Sequence, residues 1–408
     1  MKPFFQVKTP EEIFEMLELF PPLGRETLPL GKALHRVLAE EISSPEDLPH
    51  FARATMDGYA VRARDTFGAS ESIPALLTMT GEIAMGREAA DPIQTGQCLR
   101  IATGGMLPPG ADAVVMIEQT QVLDGRTIEV FKSVSPLEHV IQVGDDLRLG
   151  RPALQAGRRL RPQDLGLLAG LGVRQVTVYQ QPRVAVISTG DEMVSLDQQP
   201  LPGQVRDINA FTLPALVREA GAVPEFLGLS GDNFEDLREK VRQALEHFDV
   251  VLISGGSSVG SRDFSLEVIG SFPDAEILAH GISVSPGKPT ILARIGSRVL
   301  WGLPGHTASA VVVFSIFVKP CLNRLEGELP SPIKPSLKAR LTRNLASAQG
   351  RDDYIRVALR LGPEGWEAEP ILGKSGLIST LVRSDGLIRI DRFTEGKEKG
   401  EWVEVLLF

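Results

Sequence analysis

Residues 184–188 (Val-Ala-Val-Ile-Ser) and 250–254 (Val-Leu-Ile-Ser preceded by Val250) are unbroken apolar runs of strand length, and each is cut off by a glycine. Side chains alternate sides along a strand, so a strand that is apolar at every position must be covered on both faces. The stretch between the two runs supplies the covers. Residues 209–220 read as a helix stopped at Gly221, 223–229 (VPEFLGL) as a strand, and DNFEDLREKVRQALEHF as a second helix. Asp232 can cap that helix, with Glu235 three residues on completing a capping box. A further helix follows the Gly/Ser loop after Ser254. Strands alternating with helices predict a doubly wound parallel α/β sheet, whose ligands sit beyond the carboxyl ends of the strands.

The flanks read differently. Residues 10–20 carry apolar positions at helical spacing, and 30–42 (LGKALHRVLAEEI) read as a second helix before the turn-rich SSPEDLPHF. From 51 to 144 short β-like runs alternate with Gly/Pro turns, and 162–171 return to a helical pattern. The tail opens with PSPIKPS and continues in short runs of period two. The chain is therefore expected to be multidomain α/β plus β. A discontinuous N-terminal domain takes 1–50 and 145–181, a β-rich insertion 51–144, the α/β domain 182–328, and a small β barrel 329–408.

Charge and cysteine content narrow the function classes. A formal net charge of −9 argues against sequence-independent nucleic-acid binding. The two cysteines, Cys98 and Cys321, fit a reducing compartment. No signal peptide is visible, and the most apolar stretch, 308–318, reads as too short to span a bilayer. A soluble cytoplasmic protein without nucleic-acid or membrane partners is the expectation. The six histidines show no paired ligand spacing, which argues against structural zinc.

Three strand ends in the α/β region finish in glycine and an acid: Thr189-Gly190-Asp191-Glu192, Ser230-Gly231-Asp232, and the loop from Ser254, Gly255 and Gly256 through Ser258 and Gly260 to Asp263. Glycine admits close approach of a ligand to the backbone, and successive N–H groups can cradle a phosphate. Carboxylates beside phosphate suit a bridging Mg²⁺. Asp232 reads equally well as a helix cap, and the TGDE acids as a solvated turn. Neither G-x-G-x-x-G nor G-x-x-x-x-G-K-[ST] occurs, which disfavours dinucleotide enzymes and P-loop NTPases. Lys288 stands in a rigid Pro-Gly-Lys-Pro frame. Leu303-Pro304-Gly305-His306-Thr307 precedes an apolar helix whose start is a potential anion site, although an ordinary capped helix is the plainer reading. Met56-Asp57-Gly58 reads as an Asp-Gly turn. Arg148, Arg151, Arg158, Arg159 and Arg161 read first as a solvated face, and otherwise as a rim for an anionic substrate.

In this order and spacing MDGYA, RIATGGMLPPGADAVV, STGDE, SGGSSVG, PGKP and LPG resemble the molybdopterin molybdenumtransferase family, of MoeA type, which includes the gephyrin E domain. The resemblance runs over about residues 5–405. It implies a cytoplasmic enzyme of molybdenum cofactor biosynthesis that inserts molybdate into adenylylated molybdopterin, with Mg²⁺-assisted hydrolysis releasing AMP. It implies an elongated homodimer and a molybdopterin adenylyltransferase as upstream partner. Carried over by motif, Asp57 and Thr103 would face the partner chain's cleft, with Asp146 nearby. Glu192, Asp232 and Asp263 would manage Mg²⁺ and the pyrophosphate. Thr189, Gly190, Ser254, Gly255, Gly256, Ser258 and Gly260 would line the cofactor cleft, and Lys288, Pro304 and Gly305 the anion-binding loops. Two loops depart from the family pattern. His306-Thr307 stand where Asn-Pro is usual, and His280 and Ser285 where lysines are. The rival readings are the upstream adenylyltransferase, which the length of the chain opposes, a non-catalytic paralogue that holds or delivers the cofactor, and a tungstate-preferring homologue.

Overall fold

The computed structural model describes residues 7–255, 264–330 and 336–408. Helix α1 (Pro10–Leu17) starts in a capping box: Thr9 accepts from the Glu12 amide while the Glu12 carboxylate accepts from the Thr9 amide. Its buried face, Ile13 and Leu17, packs into the core of the α/β region. Strand β1 (Arg25–Pro29) then pairs antiparallel with residues 175–179.

The helix expected over 30–42 does not form. Only Leu30–Lys32 makes a single 3-10 turn, and His35 takes a left-handed backbone, φ 63°. Beyond it Leu38 N–H donates to Arg158 O, and Ala39 N–H to Thr177 O. These long-range bonds use the amides that a helix would spend on itself. The apolar spacing in this stretch serves to bury Leu38 between segments distant in sequence.

The insertion is a six-stranded sheet built from β2 (Gly58–Val61), β3 (Ala75–Glu82), β4 (Gln97–Ile101), β5 (Ala113–Met116), β6 (Thr120–Val122) and β7 (Thr127–Val130), in the order β5-β2-β4-β3-β7-β6. Asp57-Gly58 is not the tip of a tight hairpin. Gly58 opens β2 instead, and it has to be glycine: a Cβ there would stand 1.9 Å from Val115 O on β5. After the insertion come α2 (Pro162–Gly170) and β8 (Gln175–Tyr179), the partner of β1.

The α/β region runs β9 (Arg183–Thr189), α3 (Asn209–Glu219), β10 (Val223–Ser230), α4 (Phe234–His247), β11 (Val250–Ser254), α5 (Phe264–Gly270), β12 (Ala275–His280), β13 (Val284–Ser285), β14 (Ile291–Ile295), β15 (Arg298–Leu303), α6 (Thr307–Val313) and α7 (Lys319–Leu325). Strand order is β10-β9-β11-β15-β14-β12. The first four strands are parallel, as the alternation of strand and helix demands, while β14 and β12 add an antiparallel edge. Val184, Val186, Val250 and Leu252 face α1, α3, α6 and α7, whereas Ala185, Ile187, Val251 and Ile253 face α4 and α5. The unbroken apolar runs thus reflect two cores on one sheet. Strand β10 lies on one side of β9 and β11 on the other, so the direction of winding across the sheet reverses between β9 and β11. That is where a doubly wound sheet opens its crevice.

The helix after β15 continues through residue 325. Thr307–Leu325 is long and apolar enough by composition to cross a membrane, which corrects the expectation of a short segment. The reason for its composition is visible: two thirds of that window (67%) is buried, and Ala310, Val313, Phe314, Phe317 and Leu322 are core residues under the sheet. The tail forms β16 (Ser336–Leu341), β17 (Asp352–Gly362), β18 (Gly365–Pro370), α8 (Ile378–Val382), β19 (Gly386–Ile390) and β20 (Trp402–Leu407). These five strands close into a barrel through β17–β19, and β13 adds on at β17.

Candidate functional site

At the carboxyl ends of the parallel strands the backbone loops lie on top of one another. Gly255 follows β11 at φ 106°, and a Cβ there would stand 2.2 Å from Thr189 O at the end of β9. A Cβ on Gly305, after β15, would in turn meet Gly255 Cα at 3.5 Å. Thr189, Gly255 and Gly305 are therefore neighbours although they are distant in sequence. Gly190, at φ 145°, lets the chain turn away with the Glu192 carboxylate folded over it.

The acids gather on the β9–β10 side. Asp232 N–H donates to Asp191 Oδ1 at 2.9 Å, and Thr189 Oγ1 lies 3.5 Å from Asp232 Oδ1. Burial pushes the Asp232 carboxyl above its usual range, and the neighbouring charges of Asp191 and Glu192 push it further. Asp232 does not cap α4. Its carboxylate lies against Thr189 instead, and the helix begins one residue later, where Asn233 Oδ1 accepts from the Glu235 and Asp236 amides. Thus Thr189, Glu192 and Asp232 come together as the motifs suggest. Gly256, Ser258, Gly260 and Asp263 lie outside the described residues. Among the described residues no three His, Cys, Asp or Glu side chains form a group that could hold a metal ion unaided.

In the inserted sheet Asp57 and Thr103 meet. Thr103 N–H donates to Asp57 Oδ1 at 2.6 Å and its hydroxyl to the same oxygen at 2.8 Å. Those two bonds, the amide's first, hold the Asp57 carboxyl below its ordinary range. Asp146 is exposed, on the segment whose Asp146 and Leu147 amides donate to Leu48 O.

Around the crevice, Lys288 is exposed on a loop pinned by its own carbonyl, which accepts from the Ile282 and Thr290 amides. Pro304 is buried and His306 exposed against Gly376 of the barrel. Thr307 is buried at the start of α6, and the next amide, Ala308 N–H, donates to Ser375 O. The barrel thus takes one of the groups an anion would use there. His280 closes β12. Ser285 pairs in register with Asp353, a buried acid that accepts from Ser347 Oγ at 2.6 Å and has Arg351 Nε 3.1 Å away. The arginine-rich segment is largely tied down. Arg158 and Arg161 share Asp164, and Arg159 meets both Glu326 and Glu328, which leaves Arg148 and Arg151 exposed.

Two residues of this site have roles that sequence reasoning missed. Asp191 sits inside TGDE, but its role as the brace for the Asp232 loop depends on which strands are neighbours. Asn209, at the start of α3, is buried and reaches both Ser254 and Gly305. Nothing in the local sequence marks it.

Comparison with known proteins places the whole chain. The model of the MoeA N-terminal region (domain I and II) matches residues 8–172. The model described as "Probable molybdopterin binding domain" matches 185–324, and that of the MoeA C-terminal region (domain IV) matches 338–408. A protein of Methanocaldococcus jannaschii assigned to molybdopterin biosynthesis is 36% identical, over 100% of this chain and 99% of its own length. The molybdopterin molybdenumtransferase of Haemophilus influenzae is 33% identical over 96% of each chain. The crystal structure of a molybdopterin biosynthesis MoeA protein from Pyrococcus horikoshii OT3 superposes with a TM-score of 0.85 at 30% identity, covering 99% of this chain and 100% of that one.

Proposed function

The chain belongs to the molybdopterin molybdenumtransferase family, whose enzymes act in molybdenum cofactor biosynthesis, and on that premise we propose that its α/β crevice inserts molybdate into adenylylated molybdopterin and releases AMP. The observation that carries this reading is the convergence of Thr189, Glu192 and Asp232 with the stacked Gly255 and Gly305 loops at the point where the sheet reverses. Backbone loops at van der Waals distance, with small residues at their tips, admit a pyrophosphate to the amide groups.

Mg²⁺ fits this donor set in a particular way. Mg²⁺ usually takes one or two carboxylates and completes its shell with phosphate oxygens and water. Glu192 and Asp232 supply hard oxygens, and Asp232 already carries a raised affinity for positive charge. The substrate's pyrophosphate would bring the remainder, in keeping with the lack of a complete metal centre among the described residues. The ion would neutralise charge developing on the phosphate. The protein's own part is to position: Asp191 holds the Asp232 loop, and Gly190 and Gly255 keep the backbone close.

In our reading Asp57 and Thr103 serve the cleft of the partner chain in a homodimer, in the cytoplasm, downstream of a molybdopterin adenylyltransferase. A second reading, a chain that holds the cofactor without turnover, draws support from His280 and Ser285. A serine paired with the buried, arginine-bound Asp353 supplies no lysine charge to an oxyanion. One assay separates the two. Purified protein given adenylylated molybdopterin, Mg²⁺ and molybdate is expected to release AMP and yield active cofactor. AMP at background across a range of molybdate concentrations would reject the enzyme and favour the carrier.

A further inference from the structure

Asn209 is 2% exposed, and its amide nitrogen donates twice, to Ser254 Oγ at 2.6 Å and to Gly305 O at 2.9 Å. The first partner ends β11 and the second lies in the loop after β15. Both belong to the crevice. Helix α3 does not need this side chain for its own start, because Asp207 Oδ1 accepts from the Ala210 amide there. Nor is the asparagine's carbonyl oxygen spent on the described fold: Asn209 Oδ1 is buried without a hydrogen-bond partner among the described residues. Two more buried polar atoms nearby in the chain pairing share that condition. They are Asp207 Oδ2, two residues away, and Ser188 Oγ, on the residue that pairs with Ser254. Buried polar atoms left unpaired cost stability, so a position selected for packing alone would carry an apolar residue.

The loop after β15 is held by the barrel through Ala308 N–H and Ser375 O, and Asn209 ties it on the crevice side. Pro304 has no amide hydrogen to donate. Gly255 N–H reaches Leu303 O at 3.2 Å, which is long for such a bond. Gly305 rests on Gly255 with nothing larger than a hydrogen between them. Without the Asn209 amide the Gly305 carbonyl loses this donor, and the tie between the two glycine loops is weakened.

We infer that Asn209 is a positioning residue: by tying Ser254 to Gly305 it sets the gap between two loops of the crevice, and ligand affinity depends on that gap. The inference rests on the crevice being the molybdopterin site. It assigns Asn209 no contact with the reacting atoms.

Asn209→Ala and Asn209→Asp test it, with adenylylated molybdopterin as the probe and Mg²⁺ and molybdate present for turnover. Two neutral hydrogen bonds lost predict a Kd and KM raised roughly tenfold, with kcat at saturating substrate within about twofold and Tm within a few degrees of wild type. Asn209→Asp keeps the volume, and so serves if the alanine variant folds poorly. Its introduced carboxyl can donate a hydrogen bond only when protonated. Its affinity deficit relative to wild type should therefore shrink as pH falls from 8 to 5.5, while that of Asn209→Ala stays constant. Unchanged Kd in both variants, or a fall in kcat with KM unchanged, overturns the inference and leaves the crevice reading standing. Wild-type protein that does not bind adenylylated molybdopterin overturns both.

Discussion

Two clusters of charge in this molecule follow opposite rules. Where the N-terminal segments meet the α/β region, acids are matched with arginines: buried Asp164 with Arg158 and Arg161, buried Glu326 and half-buried Glu328 with Arg159, and half-buried Glu26 with Arg36. At the carboxyl ends of β9 and β10 acids stand beside acids, with a threonine hydroxyl and backbone amides for company. Burying a charge is tolerable when a partner is fixed beside it, and costly when like charges meet. The first cluster is complete within the chain. The second has no arginine or lysine partner among the described residues, and in the reading proposed above a bound cation completes it.

The largest effect should come from breaking the complete cluster. Arg159→Ala leaves Glu326, 2% exposed, without its cation, and should lower stability by about 3–5 kcal/mol in urea unfolding. AMP release per folded molecule should stay the same. A loss below about 1 kcal/mol would mean the junction is held by packing alone.

The next effect is a pH dependence. Burial pushes the Asp164 carboxyl upward, but the hydrogen bonds from Arg158 and Arg161 outweigh it and bring the pKa down to about 2, from an ordinary value of 3.8. A folded-state pKa below the unfolded one gives stability that is present in full above the unfolded value and lost as pH falls through the folded one. That difference corresponds to about 2 kcal/mol, lost between roughly pH 4 and pH 2. Asp164→Asn should flatten this acid limb of the stability curve. An unaltered limb in the variant would assign the loss to other carboxylates.

The smallest effect has the opposite sign. Asp232 has a raised pKa, so its contribution to stability falls as pH rises through the folded value, and at neutral pH the ionised side chain is a source of repulsion. Asp232→Asn should raise Tm slightly at pH 7, and less so in high salt, because the group is partly solvated and its repulsion is screened. A drop in Tm would place Asp232 with the structural acids.

How far the sequence discloses this molecule depends on the range of the interactions. The two-sided strands at 184–188 and 250–254, the helical apolar spacing from residue 10 and the period-two tail are local patterns, and the structure follows them. The stretch 30–42 misleads, because its amides are claimed by Arg158 and Thr177, more than a hundred residues away. Asp232 shows the same thing at short range. A cap is a choice between adjacent residues, and it went to Asn233 while the Asp232 carboxylate lies against Thr189, across a strand pair. Asn209 is invisible for the same reason, since both of its partners come from other strands.

The incomplete acidic cluster is tested most directly by single-turnover AMP release from adenylylated molybdopterin in the presence of Mg²⁺ and molybdate, comparing wild type with Asp232→Asn. The account predicts release by the wild type that depends on both Mg²⁺ and molybdate, and a rate slower by on the order of a hundredfold in the variant, with the fold intact. A variant that turns over at the wild-type rate would contradict it, and would move the chemistry away from the carboxyl ends of β9 and β10.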